Sequence, residues 1–312
     1  MNYHIGYSAD ADIRFKSASG GIGTAFIKYL LSLPDYDTAM TFVFNKEECL
    51  YEPKLIYSFE DYNNCGSIYQ DIDNIGFIKS NIERIKGGVV VTCMPCQVKA
   101  IRNLLDKKGI KSFIISFCCS GQTTVEGTWC YYKYLGINKN RVNNLQYRGN
   151  GWPSGIQITL DDGRVIKRDN WTYPWTVIQR SRLFKPKRCL SCTYKTVPDA
   201  DVNLADPWLK EYEGHDHIGN SVVILNTKES EIIYNEMILN GIVKSTQVDE
   251  ATYVRSQKGT IERKKRSNDH KVFLNVIKKM LSSQLYIKIT TCSIIMLKIH
   301  NLLISCLFKI LK

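Results

Sequence analysis

The stretch from Gly87 to Phe117 constrains this chain more than any other. Gly87-Gly88-Val89-Val90-Val91-Thr92 is a short run rich in β-branched residues, the pattern of a buried strand. Val98, Ile101, Leu104 and Leu105 follow at helical spacing, and Pro95 reads as the first helical residue, where its missing N–H costs nothing. Lys107-Lys108-Gly109 closes the helix with cations and then a glycine. Ile110 to Phe117 reads as a second strand. Strand, helix and strand over about 30 residues make a parallel βαβ unit, right-handed by default. The strand ends carry Cys93, Cys96, Cys118 and Cys119, at the edge where open α/β sheets hold ligands.

The flanking regions read differently. Ser17-Ala18-Ser19-Gly20-Gly21-Ile22-Gly23-Thr24 opens an apolar-periodic run that ends at Leu33-Pro34, a Gly-rich loop leading into a helix of about three turns. Free N–H groups at such a helix start bind phosphate, and glycines let a ligand approach; a plain capped loop reads the same way. Thr41 to Phe44 is a short strand. Ile156 to Leu160 alternates, Asp161-Asp162-Gly163 turns and Val165-Ile166 returns, a hairpin. Ser221 to Leu225 is a late strand and Glu229 to Met237 a helix. The class is α/β. An N-terminal α/β region with a parallel βαβ core precedes an α+β region with a β-hairpin and a cluster-binding loop, and a basic amphipathic C-terminal helix follows. The expected regions are 1–82, 83–258 and 259–312.

Charge singles out the last of these. The chain carries 42 Lys and Arg against 30 Asp and Glu over 312 residues, but 251–312 alone holds 13 against 2. The rest is nearly neutral, so a nucleic-acid surface on the folded body is not expected. The uncharged runs of the tail are too short for a membrane span of about 20 residues. On a helix over 283–312, Lys298, Lys309, Lys312, Asn301 and Ser305 share a narrow face. Cys292, Met296, Ile299, Leu303, Leu307, Ile310 and Leu311 lie opposite. That pattern suits a helix lying on an anionic membrane surface, and equally one docking its apolar face on the body or on a second subunit.

Eleven cysteines and five histidines make any metal site thiolate-rich. Met1 to Gly6 lacks the basic start and apolar run of a secretory signal, so a reducing cytoplasm is expected, with peripheral attachment at the inner membrane face. Cys189 and Cys192 form a CxxC pair after a basic loop. Such a pair is half a zinc site, half an iron–sulfur site, or a dithiol. Adjacent parallel strands bring Cys96 and Cys119 within reach of one another, so Cys96, Cys119, Cys189 and Cys192 can form a four-thiolate set suited to iron–sulfur or zinc. Cys93, Cys118 and Cys130 read as ordinary buried residues.

In order along the chain, the motifs resemble those of the beta subunit family of coenzyme F420 hydrogenase/dehydrogenase. Ser17-Ala18-Ser19-Gly20-Gly21 is similar to the family's SSSGG segment, Met94-Pro95-Cys96-Gln97 to its TPCQ, and Cys119-Ser120-Gly121 to its CHG. Tyr147-Arg148 with Gly151-Trp152, the CxxC, and Ala200-Asp201 to Asp206-Pro207-Trp208 match three further segments. Ser120, Cys93-Met94 and Ala205 to Leu209 depart from the family's residues at those places. The resemblance implies an iron–sulfur flavoprotein oxidoreductase. Cys96, Cys119, Cys189 and Cys192 would hold a [4Fe–4S] cluster, and Ser17, Ser19, Gly20 and Gly21 would help hold FAD. Many bacterial relatives carry a ferredoxin-like segment with repeated CxxCxxCxxxC runs; this chain has none, which implies a separate ferredoxin-like electron donor. Some are encoded among polysaccharide biosynthesis proteins. No catalytic residue is assigned; Arg148 and Asp206 are candidates because they flank motif positions. The rival expectations are a zinc-bound or inactive scaffold protein of a glycan assembly complex, and a dithiol oxidoreductase.

Overall fold

The strand–helix–strand unit forms as read and lies at the centre of the fold. The computed structural model describes residues 1–169, 172–190, 192, 196–269, 281 and 283–310, with only the backbone of 266–269 and 308–310. The elements of the first half are β1 (Asn2–Ser8), α1 (Ala11–Lys16), α2 (Ile22–Leu30), β2 (Tyr36–Asn45), β3 (Leu50–Ile56), α3 (Asn74–Asn81), β4 (Gly88–Thr92), α4 (Val98–Asp106), β5 (Ser112–Phe117) and α5 (Val125–Tyr134). Then follow β6 (Val142–Gln146), β7 (Gly155–Leu160), β8 (Val165–Asp169), α6 (Trp175–Ser181), α7 (Lys187–Leu190), β9 (Val202–Ala205), β10 (Ser221–Leu225), α8 (Lys228–Leu239) and β11 (Val243–Val248). The chain closes with α9 (Glu250–Ser256), α10 (Lys258–Asp269), α11 (Gln284–Thr290) and α12 (Ile294–Ile310).

Eight strands make one mixed sheet, in the order β11-β1-β10-β9-β5-β4-β2-β3. The inner pairs β2–β4, β4–β5 and β5–β9 are parallel and the outer pairs antiparallel. Residues expected in separate regions 1–82 and 83–258 therefore interleave within one sheet. Every residue of β10 is buried, as its continuous apolar run requires of a strand covered on both faces. Ile22, Phe26, Ile27, Leu30, Ile233 and Met237 of α2 and α8 pack on one face. Ile78, Val98, Ile101 and Leu105 of α3 and α4 pack on the other.

The expected hairpin is β7–β8, and β6 joins it to make a second, three-stranded antiparallel sheet. Alternate residues of β7 are buried against α5, α6 and the tail. Two expectations shift. The helix after β4 starts at Val98, because Met94 to Gln97 close a turn first, so Pro95 and Cys96 precede it. The helix expected over 283–312 is two helices bent by 115°. Thr290 and Thr291 turn their hydroxyls onto the carbonyls of Tyr286 and Ile287, and the Ser293 hydroxyl accepts from the Met296 N–H to start α12. Leu311 and Lys312 lie outside the described residues, as do the side chains of Lys309 and Ile310. No single described helix is long and apolar enough to cross a membrane.

Candidate functional site

The C-terminal ends of β4 and β5 are the point from which the site is built. Cys96 sits in the turn after β4, and Cys119 follows β5. The loop through α7 brings Cys189 and Cys192 over that edge; Ser191, between them, lies outside the described residues. All four sequence-predicted ligands line one cavity of about 310 Å³. Its other walls include Met94, Ser120, Gly121, Gln122 and Gln179, with six cations: Arg180, Arg182, Lys185, Arg188, Arg263 and Lys264. No carboxylate lines it among the described residues. Thiols are soft donors, and a cationic wall balances the charge that four thiolates bring, so the chemistry of the walls fits an iron–sulfur cluster. Among the described residues no three His, Cys, Asp or Glu side chains stand close enough to share a single ion.

Local contacts set the thiols. The Gly121 N–H points to the Cys119 sulfur at 3.3 Å, and Gly121 has a φ of +108°. Burial pushes the Cys119 and Cys189 thiols up, and backbone N–H groups pull the other way. Burial, then the Arg263 charge, pulls Lys185 down to about 8. Cys93 and Cys118 lie on the far side of this wall, and Cys130 is buried between α5 and its neighbours.

That wall is shared. Met94, Cys119, Ser120, Gly121, Gln122 and Gln179 also line a second cavity of about 360 Å³. Ser17, Ser19 and Gly21 line this second chamber, where α2 starts at Gly21 without a side-chain cap and so leaves N–H groups open. Gly20 does not line it. A Cβ on Gly20 would stand 2.5 Å from the Gly6 carbonyl and 2.7 Å from the Ser221 nitrogen, so this glycine lets the loop lie against β1 and β10. Ser19 and Gly20 are pinned there by the Ser221 hydroxyl, at 2.8 and 2.9 Å.

Arg148, itself buried, and the partly buried Asp206 form a bidentate pair, both contacts at 2.9 Å. Arg148 also donates to the Ala18 carbonyl at 2.6 Å, and the Trp152 indole donates to Asp206 at 2.9 Å. Burial works against the guanidinium's charge, but Asp206 more than restores it. The pair thus braces the Ser17–Gly21 loop from below.

Two contributors escaped the sequence reading. Asn64 to Gln70 line the second chamber, with Cys65 half-buried among them and its thiol pushed up by burial to about 12. Arg263 and Lys264 read as part of a basic tail, yet α10 carries them to the thiols. The only signal for them was the Arg263-Lys264-Lys265-Arg266 run, which does not say what it faces.

A mixed α/β sheet whose strand ends carry a cysteine-lined cavity, wall to wall with a second ligand-sized chamber, defines the class. A family model for the C terminus of the coenzyme F420 hydrogenase/dehydrogenase beta subunit matches residues 87–251, more than half of the chain. The chain belongs to this family, which implies oxidoreductase or electron-transfer chemistry. A curated relative, the coenzyme F420 hydrogenase subunit beta of Methanococcus voltae, is 24% identical over 269 residues, 80% of this chain and 86% of the relative. A chain of the xenon-derivatised F420-reducing [NiFe] hydrogenase complex from Methanosarcina barkeri shares the fold at a TM-score of 0.64 and 17% identity, over 88% of this chain and 93% of that one.

Proposed function

We propose that the chain is a cytoplasmic iron–sulfur flavoprotein oxidoreductase. Electrons would pass between a ferredoxin-like partner, a [4Fe–4S] cluster, FAD and a two-electron acceptor. The observation that carries this reading is the common wall between the cavity lined by Cys96, Cys119, Cys189 and Cys192 and the chamber lined by the Ser17–Gly21 loop. The four cysteines would hold the cluster. The open N–H groups at the start of α2, with Ser17, Ser19 and Gly21, would hold the phosphates of the flavin. A cluster handles one electron at a time and a flavin two, so the pair couples a one-electron donor to hydride chemistry. Arg148 and Asp206 keep the loop in place, and Met94 and Gln122 separate the chambers. The cations around the thiols support an acidic donor docking at that mouth, since opposite charge steers encounter. A role in polysaccharide biosynthesis rests on resemblance alone.

Anaerobically purified protein tests this. Iron, acid-labile sulfide, broad visible absorbance and flavin bands are expected. Cys189→Ala should lose iron and sulfide, and Cys130→Ala should keep them. A colourless protein holding stoichiometric zinc overturns the reading in favour of a zinc-bound scaffold, and unchanged iron in Cys189→Ala overturns the assignment of the four cysteines as cluster ligands.

A further inference from the structure

The tail docks on the body by one side and leaves its apolar face outward. Leu297 and Ile304 of α12 are buried against α6 and its neighbours. His300 Nε2 meets the Ser181 carbonyl at 2.8 Å, and Asn301 donates to the Val177 carbonyl at 2.8 Å. Tyr286 of α11 reaches His300 Nδ1 at 2.8 Å. The opposite side shows Ile295, Met296, Ile299, Leu302, Leu303 and Leu307, with Ile295, Leu302 and Leu303 66%, 67% and 58% exposed. On a helix of 3.6 residues per turn these six fill an arc of about 140°. Leu285 and Ile289 of α11 are exposed as well.

We propose that α11 and α12 form an interfacial anchor, which holds the protein on an anionic lipid surface with the Ile295–Leu307 face in the acyl boundary. Two observations select lipid. Residues 270–312 contain seven lysines and no Asp or Glu, a charge balance that complements acidic headgroups. Protein interfaces enrich aromatic residues, Met and Arg and deplete Lys, whereas five of the six side chains on the outward face are Ile or Leu and none is aromatic or Arg. The exposed face is Ile, Leu and Met, and Lys288 and Lys298 are exposed beside it. The 115° bend and the 17-residue length of α12 favour lying along the surface over crossing it.

Co-sedimentation of the full chain with vesicles tests this. The protein should pellet with phosphatidylcholine vesicles containing phosphatidylglycerol, and at least about tenfold less well with pure phosphatidylcholine or at high salt. Leu302→Glu with Leu303→Glu should weaken binding at least about tenfold, at unchanged Tm, because both side chains already face solvent. The milder pair Ile299→Ser with Leu302→Ser should give an intermediate loss. Equal pelleting by the Glu pair and the wild type overturns the proposal. So does a wild-type dimer that ignores vesicles and falls to monomer in the Glu pair, which would make the occupant a second copy.

Discussion

Arg148 shows what a single residue can do here. Its guanidinium is buried, yet it is held by both oxygens of Asp206 and by the Ala18 carbonyl. Breaking a buried pair from one side leaves the other charge without a partner, which costs about 3–5 kcal/mol. Arg148→Met should therefore lower stability by that amount in urea melts and loosen the Ser17–Gly21 loop, while Asp206 loses its counter-charge. A loss under about 1 kcal/mol would mean that the pair does not brace the loop. The motif reading marked both residues by position, because Tyr147-Arg148 and Asp206-Pro207-Trp208 are local patterns. Their pairing joins residues 58 apart in sequence, and no local pattern encodes that. Gly20 is similar. Its place in a Gly-rich loop was legible, but its close approach to the Gly6 and Ser221 backbone exists only once β1 and β10 lie side by side.

At the scale of elements, βαβ units and caps were the most legible. Gly109, at a φ of +68°, closes α4 as the Lys-Lys-Gly ending requires. A Thr227–Ser230 capping box starts α8 one residue before the expected helix. The tail was least legible. Its periodicity placed Met296, Ile299, Leu303 and Leu307 on one face, as they stand in α12, but the Thr290–Ser293 break interrupts the expected single helix and the choice of docking side depends on partners in α6. His300 ties that docking to pH. Burial lowers its affinity for a proton, and the Ser181 carbonyl opposes this only in part. A depressed value means that its contribution is complete above the ordinary pKa of about 6.5 and is lost as pH falls through the folded value. Amide protection of α12, corrected for intrinsic exchange, should fall as pH drops below about 6.5, and His300→Gln should abolish that slope.

On the scale of the whole molecule, the neutral body and basic tail meet at the thiol cavity. Arg263 and Lys264 of α10 lie beside Lys185 and Arg188 at its wall. If an acidic one-electron donor docks at this mouth, its second-order rate of reduction should fall about tenfold or more from low to physiological salt. Arg180→Glu should depress the low-salt rate and flatten the dependence. A salt-independent rate in stopped-flow would place the donor elsewhere. The amino-acid sequence by itself determined the parallel βαβ core with Cys96 and Cys119 beside its strand ends, the CxxC pair, the Gly-rich loop and the charge asymmetry. Each is carried by one continuous stretch of chain, whose composition and spacing are fixed before anything packs against it. Only the tertiary structure decided that α10 delivers cations to the thiols, that Asn64–Gln70 walls the second chamber, and that the tail turns its apolar side away from the body. Those outcomes are set by packing between segments distant in the chain, where shape and burial outweigh any local preference.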